Sequence, residues 1–379
     1  MKRRAWLGWM GTAGTAGMAG MAMAFASRAK AEPARSGATL GTVVEMQVVR
    51  LHLRHTWTTV MSSSEFRDVV RVQISRDGVT GLGEGAPIPR YRETATSALR
   101  ALQSVRSLVE QSDPMLHVSL LQKIQRRLPG EWAAKAALSG ALADWVGKRL
   151  GVPLHRYFGL DADATPVTTL SIGMDTPEMT QKKVQEAADF PVLKIKLGLN
   201  HDEETIAAIR KVTQKPLRVD VNEGWKSKEI AARKLDVLAK QGVELVEQPL
   251  PAAMLAEAKW LKTRSPVPIF ADESCLASSD IPRIADTCHG VNIKLDKCGG
   301  VFEARNMIAV ARAHGLRVML GCMVSSSVSI AAAAHLSPLA DVADLDGFLL
   351  IQNDTHESVG TRRGKLILSD RPGLGLVPR

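Results

Sequence analysis

The chain has 379 residues, 45% of them apolar and 23% charged, the balance of a globular protein large enough for more than one structural unit. Aromatic residues make up only 4%, and the net charge of +10 is spread without a Lys/Arg block. That excludes a base-stacking or strongly basic nucleic-acid surface.

The first 31 residues read as an export segment. Met1-Lys2-Arg3-Arg4 precedes an apolar Gly/Ala/Met-rich run, Ala5 to Ala26. Ser27-Arg28-Ala29-Lys30-Ala31 follows, where Ala29-x-Ala31 fits a signal-peptidase site. The arginine pair ahead of Trp6-Leu7 resembles a twin-arginine signal and predicts a periplasmic protein. An uncleaved membrane anchor is the alternative, since 22 apolar-rich residues could span a bilayer. Loss of the segment lowers the net charge from +10 to +5. The cysteines, Cys275, Cys288, Cys298 and Cys322, form no C-x-x-C pair, so buried free thiols are expected.

Residues 32–155 predict an α+β capping domain. Thr42–Leu53 and Val69–Ser75 alternate like antiparallel strands, and Arg76-Asp77-Gly78 is a hairpin signal. Helical spacing follows at Thr94–Glu110 and Val118–Leu128. Residues 156–350 predict an α/β unit, a (β/α)8-type barrel. Its strand runs are Val167–Ile172, Val192–Leu197, Leu217–Val221, Leu245–Glu247, Ile269–Asp272, Val291–Leu295, Arg317–Leu320 and Asp344–Leu349. They start roughly 25 residues apart with helical stretches between them, the pattern of parallel β-α units. Residues 351–379 are too irregular for more barrel and are expected to return to the capping domain.

In such a barrel the chemistry gathers at the C-terminal ends of the strands. Asp220, Glu247 and Asp272 close three consecutive runs. Three carboxylates in one barrel mouth repel each other and resist desolvation. A hard divalent cation resolves this, and Mg²⁺ keeps positions open for substrate oxygens. Lys196 ends the second run and Lys294 the sixth, so in a ring of eight they face each other. Such a pair can take a proton from one face of a substrate and return one to the other. A lysine base must be neutral, with a pKa well below ~10.4. Lys194 shares the side of Lys196 on its strand and, with the metal, would depress it.

Lys194-Ile195-Lys196, Asp220-x-Asn222, Glu247-Gln248-Pro249, Asp272-Glu273-Ser274 and Lys294-x-Asp296-Lys297 resemble, in that order, the muconate-lactonizing-enzyme subgroup of the enolase superfamily. The helix Ala134–Gly151 with Gly151-Val152-Pro153-Leu154 is similar to that subgroup's link from cap to barrel. The resemblance implies a modified barrel, Asp220, Glu247 and Asp272 as Mg²⁺ ligands, and Lys196 and Lys294 as the acid/base pair. Asp344-Leu345-Asp346 is similar to the dipeptide epimerases, where such a pair grips the substrate ammonium. Asp296, Cys322 and Met323 also lie in stretches that look like that family. It implies a dipeptide as the small-molecule partner, with a homo-oligomer allowed. N-acylamino acid racemases and cycloisomerases of the same subgroup need no ammonium grip, and a non-catalytic binding protein needs neither lysine. Glu-specific members resemble one another in a basic cap-loop residue that meets the distal carboxylate. Thr58 falls at that position, with Arg54 and His55 one slip away. Ser325 stands where many members carry Glu.

Overall fold

The computed structural model describes residues 41–379; the export segment expected over residues 1–31 lies outside them. Three antiparallel strands open the fold, β1 (Val43–Thr58), β2 (Ser63–Arg76) and β3 (Val79–Gly85). The hairpin joining β2 to β3 places Asp77 and Gly78 at φ +50° and +73°, the turn whose twist suits paired strands. Helices α1 (Ala95–Ser104), α2 (Arg106–Glu110), α3 (His117–Arg127) and α4 (Trp132–Leu150) follow.

Sequence reading missed β3 because three of its seven residues are glycine, and the structure supplies the reason. Gly81, Gly83 and Gly85 face α4 so closely that a Cβ at Gly83 would stand 2.0 Å from the Ala137 carbonyl oxygen. Small residues on both sides let strand and helix backbones touch. Residues 133–147 of α4 are all buried, as expected for a helix packed on every side.

Eight parallel strands then form the barrel: β4 (Leu170–Ile172), β5 (Leu193–Lys196), β6 (Leu217–Asp220), β7 (Val243–Glu247), β8 (Ile269–Ala271), β9 (Gly290–Lys294), β10 (Arg317–Gly321) and β11 (Val342–Asp344). They lie side by side in chain order, and a parallel bridge from Thr168 to Ala343 links the two outer edges. The last predicted strand needs correction. It ends at Asp344, and Gly347–Leu349 turn into a 3₁₀ helix, so Asp346 lies beyond the strand. The C-terminal residues return over both parts, with Gln352 N–H donating to His52 O and Leu374 N–H to Asp144. All the cysteines are free; Cys275, Cys288 and Cys298 are buried.

The barrel interior is layered by the two-residue period of its strands. Leu245, Phe270, Met319 and Val342 form an apolar plug inside the barrel. Two residues farther along the same strands come Glu247, Asp272, Gly321 and Asp344. The plug therefore sets the functional layer on a floor that excludes water from below.

Elsewhere the core holds a stacked histidine pair, His155 and His335, with ring centroids 5.2 Å apart. His335 Nδ1 accepts from the His155 backbone N–H, and its Nε2 has no partner among the described residues. Burial, then the neighbouring His155, pushes His335 down to about 4. The unfolded chain binds a proton below its ordinary value of 6.5, and the folded chain refuses it until about 4. Stability should therefore be full above that range and fall as pH drops through it, by at most about 1.4 kcal/mol per pH unit. Melting temperatures from pH 7 to 4.5 should decline less steeply for His335→Gln than for the native chain; parallel curves would refute this assignment.

Candidate active site

Backbone register sets the site. Lys196, Asp220 and Glu247 are paired neighbours across β5, β6 and β7. Lys294, Gly321 and Asp344 are paired neighbours across β9, β10 and β11. Asp272 follows directly on β8. Gly321 leaves the room that Asn292 needs, since a Cβ there would stand 2.5 Å from the Asn292 amide oxygen. Asn292 in turn donates to Glu247 Oε1 at 2.8 Å. Gln248 fixes Asp272 from behind, its Oε1 accepting the Asp272 backbone N–H at 2.9 Å.

The trio is brought together as expected: ligand oxygens of Asp220, Glu247 and Asp272 lie within 4.8 Å of one another, all buried. Lysines surround it. Lys196 Nζ lies 2.6 Å from Asp220 Oδ2 and 3.1 Å from the Asn222 side-chain oxygen. Lys294 Nζ lies 2.7 Å from Asp272 Oδ2. Lys194 Nζ stands 2.8 Å from Glu247, 3.2 Å from Asp220 and 2.6 Å from Asp344. Lys297, which the sequence reading left without a role, reaches Asp272 and also donates to three backbone carbonyls.

Electrostatics follow from this packing. Burial opposes the charge on Lys294, but Asp272 and Glu247 outweigh it and hold the ammonium well above the ordinary lysine value. Lys194 is raised in the same way by Asp344, Glu247 and Asp220. Glu247 shifts upward, first by burial and then by Asp220. Asp220 is held down against its burial by Lys196 and Lys194.

The donor set fits a hard divalent cation. At this site the buried carboxylates Asp220, Glu247, Asp272, Asp344 and Asp346 outnumber the buried lysines 194, 196, 294 and 297, a surplus of negative charge in a low-dielectric floor. Glu247 Oε2 and Asp272 Oδ1 accept no well-formed hydrogen bond, although lysine nitrogens lie near both. All candidate ligands are oxygens, the preference of Mg²⁺.

Above the floor opens a cavity of about 560 Å³ between barrel and cap, in the size range of small-molecule sites. Lys194, Lys196, Asp272, Lys294, Cys322, Met323, Asp344 and Asp346 all border it. The two aspartates after β10 are unequal. Asp344 is committed to Lys194, Thr169 and Ser171. Asp346 accepts the Ser171 backbone N–H at 2.6 Å and has no cation among the described residues. Burial and Asp344 shift its carboxyl upward.

Two expected contacts need correction. Asp296 does not border the cavity; its carboxylate accepts the Ala86 backbone N–H at 2.8 Å and so ties the cap segment to the barrel. Thr58 does not border it either, and its hydroxyl pairs with Ser63 at 2.9 Å. Strand alternation explains this, since Trp57 and Thr59 on either side do face the cavity. Arg54 donates to Leu349 O and His55 pairs with Glu186, both outside this cavity. Sequence reading also missed Arg90, whose guanidinium forks onto Glu223 at 2.8 and 3.0 Å and latches the cap to β6's end.

Residues 178–379 match the family described as enolase C-terminal domain-like. Residues 42–159 match the N-terminal domain of the mandelate racemase / muconate lactonizing enzyme family. The chain is 42% identical over 328 residues to the L-Ala-D/L-Glu epimerase of Bacteroides thetaiotaomicron, covering 86% of this chain and 85% of that one. It is 40% identical to the L-Ala-D/L-amino acid epimerase of Pedosphaera parvula, covering 87% and 97%. Its structure is similar to that of the dipeptide epimerase of Enterococcus faecalis complexed with Mg and L-Leu-L-Tyr. The TM-score is 0.83 at 28% identity, over 89% of this chain and 99% of that one. Two domain matches, a sequence likeness spanning most of both chains and the layered barrel site agree: the chain belongs to the dipeptide epimerases of the enolase superfamily, and it is an isomerase of the racemase and epimerase class.

Proposed function

We propose that the protein inverts the α-carbon of the C-terminal residue of an L-alanyl dipeptide by moving a proton between Lys196 and Lys294. The observation that carries this reading is their placement. They rise from β5 and β9, four strands apart among eight, and each touches a different member of the acidic trio. The names of the sequence relatives support the alanyl end.

Asp220, Glu247 and Asp272 would hold one Mg²⁺, which when bound supplies a counter-charge for the substrate carboxylate and for the charge that develops at the α-carbon. The lysines do the proton work. One removes the α-proton from its face while the other, protonated, stands ready on the opposite face. Lys194, bonded to Asp344 at 2.6 Å, keeps that carboxylate oriented and leaves Asp346 to receive the ammonium. The apolar plug and the cap segment around Ile88 and Tyr91 shield the site from bulk water, which strengthens every charge interaction within it.

A dipeptide library incubated in D₂O tests the reading: mass spectrometry should show deuterium entering the C-terminal residue of alanyl dipeptides, with no incorporation anywhere refuting it. Asp346→Asn separates dipeptides from acylamino acids. It should raise KM about tenfold or more for a free dipeptide, the worth of one charged hydrogen bond, and change KM little for the N-acetylated form. Equal effects on both substrates would favour an N-acylamino acid racemase. We infer in addition that the protein is exported to the periplasm, a reading supported by Arg3-Arg4 and Ala29-x-Ala31 alone; cell fractionation after Arg3→Lys/Arg4→Lys tests it.

A further inference from the structure

The two lysines of the acid/base pair are not held alike. Among the described residues Lys294 Nζ meets only carboxylates, Asp272 Oδ2 at 2.7 Å and Glu247 Oε1 at 3.7 Å. Lys196 Nζ meets Asp220 Oδ2 at 2.6 Å and also donates to a neutral group, the Asn222 side-chain oxygen, at 3.1 Å. All three carboxylates belong to the acidic trio and would be shared with a bound cation. The Asn222 contact would not.

Local backbone explains where that amide stands. Asn222 and Glu223 follow β6 in the left-handed region, at φ +44° and +64°, a conformation that strains most side chains and that asparagine tolerates better than others. The turn is pinned by Asn222 N–H donating to Asp220 Oδ1 at 3.0 Å and by Glu223 N–H donating to Gln248 O at 2.9 Å. The Asn222 amide nitrogen then donates to Glu273 Oε1 at 3.1 Å. An ammonium has donors only, so the amide turns its oxygen to Lys196, and Glu273 holds the nitrogen end. Lys196, Asn222 and Glu273 all border the cavity. Glu273 Oε2 has no partner among the described residues, so the side chain's one hydrogen bond there is the one to Asn222.

We infer that Glu273 is a positioning residue for one half of the proton transfer: through Asn222 it fixes the direction of Lys196, and of Lys196 alone. A neutral lysine whose N–H stays bonded to the amide oxygen keeps its lone pair on one side, whereas an unanchored one samples several staggered rotamers. Lys294 has no such amide, so loss of Glu273 slows proton transfer on one face of the substrate and spares the other. This rests on the two-lysine reading above and makes its two faces unequal.

The probes are L-Ala-L-Glu and L-Ala-D-Glu, each followed by NMR for exchange of its C-terminal α-proton in D₂O. The epimer that Lys294→Ala still exchanges is the one Lys196 serves. Glu273→Met should slow exchange of that epimer about tenfold and the other less than about twofold, the scale set by one or two lost hydrogen bonds. Glu273→Gln removes the same charge but keeps an oxygen for the Asn222 amide, so it should recover most of the lost rate. Both variants should bind Mg²⁺ alike by calorimetry, since they lose the same charge. Asn222→Gly, which suits the left-handed backbone, removes the amide itself and should give the same one-sided slowing. Equal slowing of both epimers in Glu273→Met, the mark of a structural role, overturns the inference. So does a Glu273→Gln protein as slow as Glu273→Met, which would assign the effect to charge. If neither lysine variant keeps one-epimer exchange, the two-lysine reading fails and the inference falls with it; that pattern in the lysine variants without asymmetry in Glu273→Met sinks the inference alone.

Discussion

Lys196→Ala and Lys294→Ala should each abolish dipeptide inversion, with a loss of at least about 10³-fold, while leaving slow exchange of one epimer's α-proton with solvent. The two lysines leave opposite sides of the barrel, from β5 and β9, and both are buried. Inversion needs a proton taken from one face and another delivered to the other. A single remaining lysine can still take a proton and return it, exchanged, on its own side. The variants should therefore differ in which epimer loses its α-proton signal by NMR in D₂O. Structural damage is separable from chemistry, because Asp220 keeps Lys194 at 3.2 Å when Lys196 is shortened and Asp272 keeps Lys297 when Lys294 is. Both variants should accordingly fold, which thermal melts would check. If both exchange the same epimer, or either still inverts, two-base transfer is wrong.

The floor of the site was legible in sequence because strand geometry leaves little freedom there. A short aliphatic run that ends in a charged residue places that residue at the mouth, and the two-residue period puts 194 beside 196 and 292 beside 294. Asn292 could have been found by that same count. The wall was harder. The unequal roles of Asp344 and Asp346 depend on Lys194 reaching from β5 to the end of β11, a contact made only when the barrel closes past β4. No local pattern contains it. The cap-loop position rested on resemblance alone, and in the structure the Thr58 hydroxyl pairs with Ser63 while Trp57 and Thr59 border the cavity. Strand β3 stayed hidden because the glycines that let α4 approach it are weak strand formers.

Chelation of divalent metal should remove inversion and solvent exchange together, and Mg²⁺ should restore both. The loss should be on the order of 10³-fold or more, since both outcomes need the same developing charge to be met. Glu247→Gln probes the ligand set from the protein side. Glu247 is wholly buried, and its carboxylate is bounded by Lys194 at 2.8 Å, Asn292 at 2.8 Å and Lys294 at 3.7 Å. An amide of the same shape removes one ligand charge and presents N–H donors to neighbours that are themselves donors. Mg²⁺ affinity, read by calorimetry, should fall with turnover, and added Mg²⁺ should recover part of the activity by mass action. This pattern differs from that of the lysine variants, in which Mg²⁺ affinity survives and added metal rescues nothing. A chelated protein that keeps full activity, or a Glu247→Gln protein with native metal affinity, would show that the acidic trio is a structural network of buried ion pairs rather than a metal site.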